Sequence, residues 1–244
     1  GWDDPNGVVV AKRGRPKGPA IPDDAFARTA WGLNDAGNAS RLVDDFAGEL
    51  LYDAAAKKWR VFDGKRFVED SLSNVTARAI KRMQGIKGEA DRCEDPGIAQ
   101  AIRNHAKKSL SRSAIDNALN LASRGTALVR LPSDFDQDPM LLNLRNCVID
   151  LRTFEILEHS PKQMLTRMID IDFDENAECP KWEAFLEQIF EGDAKMIDFI
   201  QRSVGYALSG LIDEQYFWFC YGTGANGKSV FFNVLQMLTG EYYH

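Results

Sequence analysis

Cysteine and histidine are scarce, with four and three copies in 244 residues, and their spacing excludes more than it suggests. Cys93, Cys147, Cys179 and Cys220 form no C-x-x-C pair and stand near no pair of histidines. Neither a zinc site nor a disulfide framework is expected, which fits a reducing cytoplasm. His105, His159 and His244 pair with no Ser or Cys nucleophile in a catalytic pattern. Long apolar runs are missing too: none approaches the ~20 residues that a membrane span requires. The opening Gly-Trp-Asp-Asp-Pro lacks both the charged and the apolar part of a signal peptide, so a soluble chain is expected, with no membrane partner.

Net charge is small, but it is unevenly spread. Residues 1–112 carry 20 Lys and Arg against 16 Asp and Glu, whereas residues 113–244 carry 10 against 20. The basic half is therefore the candidate for touching nucleic acid. Arg78, Lys81, Arg82, Lys87, Arg92, Arg103, Lys107, Lys108 and Arg112 fall on predicted helices, where acidic neighbours make a solvated helix face the simpler reading. Asp134-x-Asp136-x-Asp138 and Asp170-x-Asp172-x-Asp174 begin like calcium loops. Pro139 and Glu175 replace the required glycine, however, and Arg145 and Lys181 the closing glutamate. The alternating acids of residues 169–173 read instead as the solvent side of a strand.

Residues 1–22 have the composition of a linker, rich in Gly, Pro and positive charge and without apolar periodicity. Within them Lys12, Arg13, Arg15 and Lys17 surround an Arg-Gly-Arg core similar to an AT-hook, which lies in the narrow minor groove of A·T-rich DNA. A basic tether attracted to phosphate without sequence preference is the other reading.

From about residue 23 the pattern becomes that of a folded α+β region. Ala39, Leu42, Val43, Phe46 and Leu50 predict a helix; residues 51–52, 58–62 and 65–68 predict short strands, with Asp63-Gly64 as a hairpin signal. Helices are expected at about 72–86, 98–110 and 113–123. Trp59, Phe62 and Phe67 beside Lys57, Lys58, Arg60, Lys65 and Arg66 make either a packed hairpin or a stacking platform for single-stranded DNA. Further on, Trp182 to Phe190 and Met196 to Leu208 form two apolar helical stripes, expected to pack on each other and on a strand at 216–221.

That strand leads into the most specific motif of the chain. Gly222-Thr223-Gly224-Ala225-Asn226-Gly227-Lys228-Ser229 matches the phosphate-binding P-loop, or Walker A, pattern G-x-x-x-x-G-K-[ST]. Glycines let successive backbone N–H groups turn toward phosphate oxygens. Lys228 is positioned by sequence to reach the β- and γ-phosphates of ATP and is the expected catalytic residue; Ser229 is expected to hold Mg²⁺, at the positive end of a helix. Val230, Phe231, Val234, Leu235 and Leu238 recur at helical spacing, and Gly240 is a C-cap candidate. Strand, glycine loop and helix together predict the first unit of an α/β P-loop ATPase of the AAA+ kind.

Residues 141–153 (Leu141-Leu-Asn-Leu-Arg-Asn-Cys-Val-Ile-Asp-Leu-Arg-Thr153), Cys179-Pro-Lys-Trp-Glu-Ala-Phe-Leu186, Phe199-Ile-Gln-Arg-Ser-Val-Gly-Tyr-Ala-Leu-Ser-Gly210 and the P-loop itself resemble the phage and plasmid primase-helicase family. Members of that family are similar to the poxvirus primase-helicase in the same regions. The resemblance runs from about Gly37 to the last residue. It implies a helicase-associated, collar-like N-terminal domain at 23–175, and the start of a superfamily 3 helicase domain at 176–244, cut after the P-loop helix. It further implies ATP and Mg²⁺ as cofactors and single-stranded or forked DNA as partner. A homo-oligomeric ring, typically a hexamer, and a primase domain in the same chain or in trans complete the picture, in the cytoplasm of a bacterial host. Family members often have Asn-Gly at Asn146-Cys147 and Thr-Gly at Thr153-Phe154, so two β-turns depart from the pattern.

The reading is an ATP-dependent DNA helicase of phage, prophage or plasmid replication. The acidic, sensor and arginine-finger residues that complete such a motor are expected further along than His244, so residues 1–244 alone are expected to be inactive. The alternatives are a non-catalytic assembly or DNA-docking module, or a P-loop nucleotide-binding protein of another class.

Overall fold

The computed structural model describes residues 31–222, 224 and 226–243. The basic cluster Lys12, Arg13, Arg15 and Lys17, and Thr223 and Ala225 of the P-loop, lie outside the described residues. The chain divides into two units, one of residues 1–61 with 69–130 and the other of residues 62–68 with 131–244. No helix among the described residues is long and apolar enough to cross a membrane.

The first unit is largely helical. Helix α1 (Asp35–Phe46) starts at Asn34, whose side chain accepts from Gly37 N at 2.8 Å and so supplies an acceptor to a donor with no intrahelical partner. Gly37 admits no side chain: a Cβ there would lie 1.4 Å from Trp31 O. After α1 come β1 (Leu50–Asp53) and β2 (Lys58–Phe62), antiparallel with Tyr52 opposite Trp59, and the hairpin ends in β3 (Phe67–Glu69). Helices α2 (Asn74–Gly85), α3 (Lys87–Asp91), α4 (Pro96–Ser109) and α5 (Arg112–Ala122) carry the chain to β4 (Val129–Arg130), which pairs parallel with β1. The sequence pattern contains α2, α4 and α5 but not α3, a single short turn of helix with too few residues to display a period. Asp95 caps α4 through Gly97 N and Ile98 N, and Ser111 caps α5 through Ala114 N.

The core of this unit joins Leu42, Met83, Ile86, Ile102 and Ile115 with Ala79, Ala90, Ala99, Ala106 and Ala118, small residues that let helices approach closely. Inside it lies a polar network. Arg41, with no solvent exposure, grips Glu89 through Nε–Oε1 at 3.0 Å and Nη2–Oε2 at 2.7 Å, and donates from Nη1 to Gly32 O at 2.9 Å. Arg82 donates to Glu89 Oε1 at 2.8 Å and pairs with Asp45 at 2.7 Å. Burial alone would raise the Glu89 carboxyl, but the two guanidiniums outweigh it and hold it below the usual carboxylate range. A second buried cluster ties His105 Nε2 to Asn38 Oδ1 at 2.9 Å and to Ser109 Oγ at 3.1 Å; burial first, then the charge of Arg41, lowers the imidazole below its ordinary value.

These contacts explain much of the basic run in the sequence. Arg82 is half-buried at the edge of the core, turned onto Glu89, while Arg78 meets Glu49, Arg103 meets Asp91 and Arg112 meets Asp116. The Trp59 ring packs edge-on to Tyr52 at 5.2 Å and lies against the core residues of β1 and α2, so the hairpin aromatic serves packing in this unit.

The second unit begins with the hairpin tip. Asp63 Oδ1 accepts from Lys65 N and Arg66 N, Asp63 N donates to Arg66 O, and Gly64 takes φ +104°, so the Asp-Gly turn forms as its sequence predicts. Phe67 is buried against Phe62 and Phe135. A three-stranded meander follows, β5 (Leu141–Asn143), β6 (Val148–Asp150) and β7 (Glu155–Leu157), with Leu142 opposite Ile149 and Ile149 opposite Ile156. Both departures from the family turn pattern leave the turns formed. The backbone does not enter the left-handed region at Cys147, whereas Phe154 does, at φ +58°, with Phe154 N still donating to Asp150 O at 2.7 Å. A bulky residue there carries strain that glycine would not.

The predicted strand at 169–173 reduces to a single bridge, Leu144 to Ile169. Two backbone bonds remain, Ile169 N to Asn143 O at 2.9 Å and Arg145 N to Ile171 O at 3.0 Å, and side chains extend them: Asn146 donates to Phe173 O and accepts from Phe173 N, and Arg145 holds Asp172 at 2.6 Å. Helices α6 (Pro180–Ile189), α7 (Ala194–Leu208) and α8 (Lys228–Thr239) complete the unit, with Asp193 capping α7 and Gly240 ending α8 at φ +51°. The expected strand at 216–221 is absent: these residues pair with no other strand among the described residues, and Phe217 is 86% exposed. A strand holds its shape through ladder bonds on its flanks, and apolar β-formers alone do not supply them.

Candidate phosphate-binding site

The glycine loop is placed by two helices. Gly227 adopts φ +81° and forms the N-cap of α8, so Lys228 is the first helical residue and Ser229 the second. Against its back lies α6: a Cβ on Gly227 would stand 2.7 Å from Ile189 Cγ2 and 3.2 Å from the Phe185 ring. Two demands therefore fall on this one glycine, a left-handed backbone and close approach to a neighbouring helix. The second is not visible in the motif, since the residues it meets lie far upstream. The α6–α8 contact is carried by Trp182, whose ring stacks on that of Phe231 at 5.5 Å and 23°.

Between α6 and the loop opens a cleft of about 710 Å³, lined by Phe185, Gln188, Ile189, Glu191 and the residues from Gly224 to Val230 that are described. Ser229 and Gly224 are exposed on its lining, and Gly222, at the start of the loop, is exposed as well. Lys228 Nζ donates to Asn226 Oδ1 at 2.8 Å and to Gly222 O at 3.2 Å, so its charge is held across the mouth of the loop. The structure thus brings Gly222, Gly224, Asn226, Gly227, Lys228 and Ser229 to one place at a helix N-terminus, whose unsatisfied N–H groups favour an anion. Periodicity alone assigns Phe185 and Ile189 to a core stripe; their place on the wall of this cleft was not legible in the sequence, and neither was that of Gln188 and Glu191, which belong to no motif.

The far end of α8 is anchored. Glu241 accepts from Arg66 and from Met168 N at 3.3 Å, and the Arg66 guanidinium holds its carboxyl below the usual range. Tyr242 donates its hydroxyl to Arg167 O at 3.3 Å and packs on the cluster of Leu142, Leu144 and Ile149. Burial pushes its phenol up to about 12.

Residues 39–191 match the family described as D5 N terminal like. The chain is also similar to a protein of Acanthamoeba polyphaga mimivirus named "Putative helicase L207/L206", 24% identical over 209 residues. That alignment takes in 80% of this chain and 21% of the mimivirus protein, so the chain spans about a fifth of the length of that curated relative. The family match begins inside α1, runs through the buried arginine network and the meander, and ends just past α6, one helix ahead of the glycine loop. More than half of the sequence carries that signature, and the chain belongs to the D5 N terminal like family, the N-terminal region of primase-helicases.

Proposed function

We propose that this chain supplies the ATP-binding loop and the preceding collar-like domain of a DNA helicase of phage, prophage or plasmid replication. The observation that carries the reading is the seat of Lys228 and Ser229 at the start of α8, behind a glycine where any Cβ would crowd Ile189 and strain the backbone, in a chain of this family. In this reading the domain at 23–175 is the helicase-associated part and 176–244 the beginning of the motor. Gly222 to Gly227 wrap the phosphates, Lys228 reaches the β- and γ-phosphates, and Ser229 holds Mg²⁺. Bound Mg²⁺ supplies neutralisation of charge that builds on the phosphoryl oxygens. The protein's own share is to orient the triphosphate, present N–H donors at the helix end and keep the Lys228 charge beside the transferring group. Lys12, Arg13, Arg15 and Lys17 serve DNA, and assembly into a ring completes each site from a neighbouring subunit.

The test is a nucleotide titration. Wild-type chain binds a fluorescent ATP analogue with Mg²⁺, and Lys228→Ala weakens that binding at least tenfold. In a helicase-length protein the same substitution abolishes ATP hydrolysis; near-normal turnover by that mutant removes this loop from the mechanism.

A further inference from the structure

The P-loop pattern leaves residue 226 unspecified, yet its side chain makes the closest polar contact of Lys228. Asn226 Oδ1 lies 2.8 Å from Lys228 Nζ, and Gly222 O completes the seat at 3.2 Å. The Asn226 amide also reaches back over the first glycine: a Cβ on Gly222 would stand 2.0 Å from its Nδ2. One side chain therefore spans the loop from its last variable position to its first residue. We propose that Asn226 is a positioning residue, a neutral clasp that holds the Lys228 ammonium at the mouth of the phosphate loop before nucleotide arrives. This rests on the nucleotide-binding reading given above.

The chemistry suits the amide. A lysine side chain has rotamer entropy to lose when it is fixed on a ligand. Holding it beforehand shifts that cost to the folding of the loop. A neutral carbonyl oxygen satisfies the ammonium without cancelling its charge, so the lysine is released to phosphate oxygens, which are stronger acceptors. A carboxylate at the same position would keep the lysine and repel the phosphates.

Two measurements on the 244-residue chain test this. The first needs no nucleotide: labelling of Lys228 by an amine-reactive reagent, read by mass spectrometry, rises several-fold in Asn226→Ala and falls in Asn226→Asp. Unchanged labelling overturns the clasp. The second is a cycle of binding constants for AMP, ADP and ATP with Mg²⁺. Asn226→Ala weakens ADP and ATP on the order of tenfold and spares AMP, and it adds nothing to Lys228→Ala, because its effect passes through that lysine. Equal losses for all three nucleotides, or losses that add in the double variant, overturn the proposal in favour of a merely structural loop residue. A wild-type chain that binds none of them while labelling responds as stated defeats the nucleotide reading and upholds the contact.

Discussion

Helices α4 and α7 have nearly the same length and the same kind of apolar stripe, yet they end in different surroundings. Of the 14 residues of α4, five are buried: Ala99, Ile102, His105, Ala106 and Ser109. Of the 15 residues of α7 none is, and Phe199 stays 46% exposed. The first unit has enclosed even its charges, as Arg41 and Glu89 illustrate, whereas the aromatic run beside the glycine loop faces solvent. Amphipathic spacing states that a helix has an apolar side; it is silent on whether the described structure includes the layer that covers it.

The comparison breaks most sharply at Arg41. Arg41→Ala leaves Glu89 buried with half of its charge partners, and a loss of about 3–5 kcal/mol is expected. Chemical denaturation followed by far-UV circular dichroism checks it. A small change would mean that the enclosed network is as loosely held as the α7 surface. Next comes Gly227→Ala, which meets Ile189 and forces a left-handed alanine, at a cost of about 1–3 kcal/mol. Hydrogen exchange should show that loss in α6 and α8 and not in α1 to α5; uniform loss would dissolve the contrast between the units.

The smallest effect is one of pH. Burial holds His105 below the ordinary imidazole value of about 6.5, so the neutral ring is the form that folding favours. Its contribution is complete above about that value and is lost as pH falls from there toward the lowered folded value, with the uptake of one proton on unfolding. Thermal melting between pH 7.5 and 5.5 should fall more steeply for wild type than for His105→Gln, whose side chain does not titrate. Parallel slopes would show that another group carries the dependence. Glu89, held low by Arg41 and Arg82, gives way only in more acidic solution, below the ordinary carboxylate range.

Much of the fold was legible in the sequence. The helices α1, α2, α4 and α5 announce themselves by spacing, and the Asp63-Gly64 turn by its backbone demands. The phosphate loop is legible because its chemistry needs Gly, Lys and Ser at fixed intervals. What escaped depends on distant partners: the ion pair of Arg41 with Glu89 and the close approach of Phe185 and Ile189 to Gly227. The strand expected at 216–221 failed for a related reason, since its residue types describe a strand's faces and supply no ladder partner.

Cysteine scarcity, read at first only as an exclusion, turns into a ready-made set of clocks. Cys147 sits 5% exposed in the meander core, and burial pushes its thiol up, so it stays silent to alkylating reagents while β5 and β6 are closed. Cys179 and Cys220 are exposed, one at the start of α6 and one in the run that enters the glycine loop. With the exposed thiols as references for the intrinsic rate, the reaction time of Cys147 measures in one sample how often the meander opens, with no residue replaced.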